Sequence, residues 1–146
     1  MENEDLIFQL KVALATVFSF AMKAQNYHIN VVGPNFYQYH EFFGDIYEEV
    51  FEWADGIGEE IRTLDSFTPF SLSRFSELTK ISDETTLPTV DVMFQTLVAD
   101  NAIMLETLYS AHAAAEAVKN WGITNHIEDM ISATQKRHWM LKAFKF

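Results

Sequence analysis

Apolar residues recur along this chain at intervals of three and four, and strand-like alternation is scarce. The first periodic stretch, from about Asp5 to Val32, is predicted to be a helix. Gly33-Pro34 ends it, because glycine accepts a left-handed cap and proline cannot continue the hydrogen-bond ladder. Asn35 is placed to cap a second helix, with Gln38 in the capping-box position. The stripe Phe36, Tyr39, Phe43, Ile46, Val50, Trp53, Ile57, Ile61 and Leu64 is the seam by which that helix joins a bundle. The segment SFTPFSLSRFSELTKIS carries one short helix, capped by Ser71, with Phe70 stapled onto Phe75. A third long helix begins after Leu87-Pro88 and runs to about Lys119. Trp121-Gly122 is read as a break, and a fourth helix covers about Thr124 to Phe144. With no internal repeat or flexible linker, the expectation is all-α. One domain spans residues 1–146, a four-helix bundle with a short extra helix in the long crossover between its second and third long helices.

The first helix is apolar on most of its faces. Leu6, Ile7, Leu10, Val12, Leu14, Val17, Phe18, Phe20 and Met22 cannot all point into one core, and a surplus apolar face suggests a partner subunit. The stretch 6–22 is interrupted by Gln9 and Lys11, barely reaches the ~20 residues of a membrane span, and follows the acidic MENED. It also lacks the basic start and small-residue cleavage site of a signal peptide, so we expect a buried helix and no membrane segment. The chain has no cysteine, which excludes disulfides and thiolate metal sites and suits a reducing cytoplasm.

A formal charge of −11 disfavours binding to a phosphate backbone and favours attracting cations. Five basic residues, Lys119, Lys136, Arg137, Lys142 and Lys145, gather toward the C-terminal end. They fit the negative end of the last helix better than a nucleic-acid contact.

The candidate chemistry centres on YHINVVGPNFYQYHEFFGD, where His28 and His40 flank the Gly-Pro-Asn turn. Bundles that hold two irons within one subunit use paired Glu-x-x-His motifs, and this chain has none. Its nearest approaches are Gln135-x-x-His138 and His112-x-x-x-Glu116, and neither repeats. The second helix instead carries His40, Gly44, Phe51, Asp55, Gly58 and Glu59 within about 100° of one another. Imidazole with carboxylate is a suitable donor set for iron or zinc. His40 and Asp55 are ~22 Å apart along a helix and cannot share an ion within one chain. An antiparallel copy of the helix, crossing near residue 48, would bring His40 toward Asp55 and Glu59 of a two-fold mate, and His28 could join from the histidine side. Close approach of that copy would explain the glycines at 44 and 58. The competing reading is a structural histidine beside a core and an ordinary solvated acidic face.

HINVVGPNFYQYHEFFGDIYEEV, followed by DGIGEE and ending in KRHWMLKAF, resembles the Dps proteins, the dodecameric mini-ferritins. The likeness covers nearly the whole chain and rests most specifically on H-x11-H followed by D-x3-E. It implies a ferritin-like shell of twelve subunits with ferroxidase sites at the two-fold interfaces. These sites would oxidise Fe(II), usually with hydrogen peroxide, otherwise with oxygen, and the cavity would store ferric mineral. By resemblance His28 and His40 are the ligands from one subunit, and Asp55 and Glu59 those from its mate. Zinc or another divalent ion is an alternative occupant.

Two positions depart from the family pattern. The aspartate normally found one turn after the second histidine is Gly44, with Asp45 about 100° around the helix. The tryptophan commonly following the first histidine is Ile29, leaving Tyr27 and Tyr39 as the neighbouring phenols. The expectation is therefore a ferroxidase with one firm iron position, using His28 with Asp55 and Glu59 of the mate, and a weakened one near His40. The alternative is a Dps-like shell with a degraded metal site, acting as a structural or DNA-associated protection protein. Direct DNA binding is not expected, since MENED supplies no basic extension and the sequence stops close to the fourth helix. Glu128 and Asp129 either line an iron entry pore or form a solvated helix start.

Overall fold

The computed structural model describes residues 2–146. Five helices form: α1 (Glu4–Asn30), α2 (Phe36–Thr63), α3 (Leu72–Leu78), α4 (Val90–Ala117) and α5 (Trp121–Ala143). Among the described residues there is no strand. The short turns 31–35 and 118–120 make α1–α2 and α4–α5 antiparallel hairpins. The crossover between them carries α3 against α1. The all-α bundle with one extra short helix in the crossover is as expected.

The core follows the periodicity. Phe43, Ile46, Val50, Ala54, Ile57 and Ile61 of α2 face Leu10, Leu14, Val17 and Phe20 of α1, Leu97, Met104 and Leu108 of α4, and Ile127 and Leu141 of α5, all buried. Each large side chain of this set contributes about 1.5–3 kcal/mol of apolar burial. Helix α1 is buried on several sides at once, against α2, α4 and α3. Much of its surplus apolar face is therefore covered within the chain: Phe18 packs on Phe75 at 4.5 Å, on Phe51 at 5.4 Å and on Phe70 at 6.0 Å. Phe8, Met22, Ile29 and Val32 remain exposed. By length and composition α1 passes the test for a membrane span, yet 56% of its apolar window is buried in the bundle.

Several ends differ from the sequence reading. Helix α1 stops at Asn30, and Val31 is already extended, with Gly33 at φ +131° making the turn. Asn35 occupies the N-cap position without capping: its amide donates to the Tyr39 hydroxyl at 3.3 Å, so the box with Gln38 does not form. Ser71 does cap α3, accepting from the Arg74 backbone N–H at 3.3 Å, and Phe70 does meet Phe75 at 5.0 Å. Trp121-Gly122 is no break but the first turn of α5, capped by the Asn120 side chain, which accepts from the Ile123 N–H at 3.1 Å. The chain turns instead at Lys119, in the left-handed region at φ 58°.

Several polar groups inside the bundle are paired across helices. Lys23 of α1 meets Asp100 of α4 at 2.6 Å, both nearly fully buried. Arg137 is also a core residue and not a helix-end charge. It is 4% exposed, hydrogen-bonds Glu49 and Asn101, and lies over the Trp53 and Phe20 rings. The crossover is fastened by Tyr27, which donates to Glu84 at 2.5 Å, and by Thr68, which donates to the Gly58 carbonyl at 2.6 Å.

Candidate metal centre

The end of α1 and the start of α2 place the two histidines face to face. Their rings stack with centroids 3.8 Å apart and planes 17° from parallel. Each reaches the other's backbone: His28 Nδ1 lies 2.6 Å from the His40 carbonyl oxygen and His40 Nδ1 2.7 Å from the His28 carbonyl oxygen. A carbonyl only accepts, so each Nδ1 carries the proton and donates it. With Nδ1 so engaged, Nε2 is the nitrogen left to present a lone pair, the arrangement in which a second hydrogen bond fixes the tautomer of a metal-binding histidine. Phe36 stacks on His40 at 5.1 Å and Tyr47 meets His28 edge-on at 5.2 Å. Both histidines are half-buried.

The carboxylates lie at the other end of α2. Asp55 and Glu59 are exposed. Asp55 holds the Glu59 carboxyl above its usual range, by hydrogen bond first and by charge second. Two neighbouring carboxylates on an open face are a place where a cation would relieve repulsion. Helix α2 is unbroken between the two ends, so His40 and Asp55 stay about 22 Å apart along its axis. The structure thus brings His28 and His40 together and keeps both from Asp55 and Glu59 of the same chain. Among the described residues, no group of three or more His, Cys, Asp or Glu could hold a metal ion.

The glycines have a nearer cause than a partner helix. A Cβ at Gly44 would stand 2.9 Å from His28 Nδ1 and 3.0 Å from its Cε1. At Gly58 it would meet the Thr68 methyl of the chain's own crossover at 3.3 Å. Asp45 does not take the place of a ligand at 44. It lines a shallow groove with Glu49, Lys136 and Arg137, between α2 and α5.

The phenol beside the histidines is Tyr47, which the sequence reading did not single out. Tyr27 is fully buried and committed to Glu84, and Tyr39 packs on Phe94 and Phe144. Tyr47 stands one turn after Phe43 and Gly44, a spacing that could have revealed it. Two further acid–imidazole pairs join helices. His112 meets Glu128 at 2.8 Å, so Glu128 is not a free helix-start charge, and His126 hydrogen-bonds Glu60. Burial pushes the Glu60 carboxyl up, against the opposing pull of His126.

A bundle of two antiparallel hairpins joined by a long crossover, with histidines and carboxylates on its second helix, is a ferritin-like architecture. The family description "Ferritin-like domain" matches residues 7–144, and the chain belongs to that family. Its structural neighbours include Dps proteins. The Dps protein of Vibrio cholerae, described as a member of a superfamily of ferritin-like diiron-carboxylate proteins, superposes with a TM-score of 0.93. The two are 27% identical, over 97% of this chain and 89% of that one. Antigen TpF1 of Treponema pallidum superposes at 0.91 with 25% identity, over 94% and 89%. Among sequence relatives, a DNA protection during starvation protein of Helicobacter pylori is 27% identical over 98% of both chains. A nutrient stress-induced DNA-binding protein of Nostoc is 29% identical, over 92% of this chain and 74% of its own.

Proposed function

We propose that this protein is a ferroxidase and iron-storage protein of the Dps type, protecting the cytoplasm against oxidative stress as a homo-oligomeric shell, a dodecamer. What carries the reading is the tautomer-locked His28–His40 pair, with both Nε2 atoms left free, on the helix that also presents Asp55 and Glu59. Iron is the substrate. His28 and His40 of one subunit, with Asp55 and Glu59 of its two-fold mate, would hold Fe(II). The donor set fits: imidazole takes the divalent ion, and the carboxylates favour the ferric product by charge. Two Fe(II) each lose one electron, and hydrogen peroxide takes both, with two protons, to give two waters. The chain's own part is to bind, to position and to attract. The stacked rings hold their lone pairs in place, and a net charge of −11 draws cations inward.

A second reading is the same shell with a degraded site, serving as a structural or DNA-associated protection protein. The observation in its favour is Gly44, which puts no carboxylate beside His40. The same negative charge works against direct contact with a phosphate backbone. Peroxide-driven Fe(II) oxidation separates the two readings. The first expects rapid oxidation that His28→Ala and Asp55→Ala each abolish; equal rates in all three proteins would sink it.

A further inference from the structure

We propose that His126 and Glu60 form a second cation site, apart from His28, His40, Asp55 and Glu59. It takes one divalent ion that accepts both nitrogen and oxygen donors, of the Zn(II), Fe(II) or Co(II) kind. The inference goes beyond the ferroxidase reading and does not draw on it. His126 stands in the second turn of α5 and Glu60 in the last turn of α2, so the pair bridges two helices. Nδ1 of the ring is engaged with Oε1 of the carboxylate. The other carboxylate oxygen, Oε2, is buried and has no hydrogen-bond partner. A buried polar atom left without a partner costs about 1–3 kcal/mol and calls for an explanation, of which a bound ion is one. The Glu60 side chain is 16% exposed and that of His126 38%, so the pair is closed on the carboxylate side and open on the imidazole side.

Gly56, one turn before Glu60, makes the room. A Cβ there would stand 3.0 Å from His126 Cε1 and 3.6 Å from Nε2, and would push the ring off the carboxylate. A hydrogen bond that merely ties α5 to α2 accounts for Nδ1 and Oε1 but leaves Oε2 idle. An ion seated between the two side chains engages Nδ1 and both carboxylate oxygens, and water arriving from the open side completes its shell. Metal–ligand bonds of about 2.0–2.2 Å set neighbouring donors ~3 Å apart. The imidazole therefore has only to ease outward, on the side where it is exposed.

The probe is Co(II), followed by calorimetry and by its visible spectrum. The assembled protein carries Asp55→Ala and Glu59→Ala throughout, and Glu60→Gln or His126→Ala is added to it. The Glu60→Gln amide oxygen still accepts from Nδ1–H, so this variant keeps the tie between the helices and removes only the anionic donor. It serves even if His126→Ala assembles poorly. The background protein is expected to bind one Co(II) per subunit that either added substitution weakens tenfold or more. Co(II) is also expected to raise Tm in the background protein, by mass action, and not in Glu60→Gln. Unchanged number and affinity of Co(II) ions in Glu60→Gln overturns the proposal, as does a background protein that binds no Co(II). Because Asp55 and Glu59 are already removed, failure of the ferroxidase reading leaves this result unaltered.

Discussion

His28 and His40 exchange hydrogen bonds, each ring Nδ1 donating to the other's backbone carbonyl at 2.6 and 2.7 Å. The pair closes the α1–α2 turn and leaves the two Nε2 lone pairs available, so one device serves both the fold and the site. An imidazole that donates Nδ1–H in this way is the stronger ligand through Nε2.

Two glycines predict opposite responses to alanine. A Cβ at Gly56 would lie 3.0 Å from Cε1 of His126, whose Nδ1 is engaged with Glu60. At Gly122 the nearest contact is an ordinary 3.8 Å to Asn120. Gly122→Ala should be neutral or stabilise by up to ~1 kcal/mol, the usual helix gain. Gly56→Ala should lose that gain and about 1 kcal/mol more, as the His126–Glu60 hydrogen bond is disturbed. Chemical denaturation of both variants checks the difference in sign.

Tyr27 and Glu84 predict a pH window. Burial first, and the Glu84 hydrogen bond second, raise the Tyr27 phenol well above its ordinary value, while the Tyr27 hydroxyl holds the Glu84 carboxyl below its own. The phenol's contribution to stability is complete below about pH 10 and is lost as pH rises through its raised value. The carboxylate's contribution is present above about pH 4.5 and is lost as pH falls through its depressed value. In an absorbance titration Tyr27 should be the last of the five tyrosines to ionise, and Glu84→Gln should bring it earlier without restoring the ordinary value. Ionisation of all five together near pH 10 would contradict the buried hydrogen bond.

Lys23 and Asp100, 2.6 Å apart and 6% and 10% exposed, predict strong coupling. Lys23→Met alone or Asp100→Leu alone leaves a buried unpaired charge and should cost about 3–5 kcal/mol. The double variant should cost far less than the sum. Additive losses in a double-mutant cycle would show that the two charges do not depend on each other.

The long helices were legible because their apolar period is strong, and Ser71 and Phe70 announced α3 correctly. The errors arose where a side chain chose among local partners. Asn35 gave its amide to Tyr39 and left its helix uncapped, whereas Asn120 capped α5 and drew Trp121 and Gly122 into it. Arg137 was readable in principle, lying three residues after Thr134 and four before Leu141 on the buried stripe of α5; its charge suggested a helix end instead. Gly44 was not readable. Its neighbour His28 is fixed by how the end of α1 registers against α2, and no spacing within either helix encodes that.

The central claim is that each site takes its histidines from one subunit and its carboxylates from another, and mixed shells test it most directly. One chain carries His28→Ala and His40→Ala, the other Asp55→Ala and Glu59→Ala; each is assembled alone, then both are unfolded and reassembled together. Each parent should be inactive in peroxide-driven Fe(II) oxidation. The equal mixture should recover roughly a quarter of the wild-type rate, since half of random two-fold pairs are mixed and each mixed pair holds one intact site of two. Mixed shells that assemble but stay as inactive as their parents would contradict the claim.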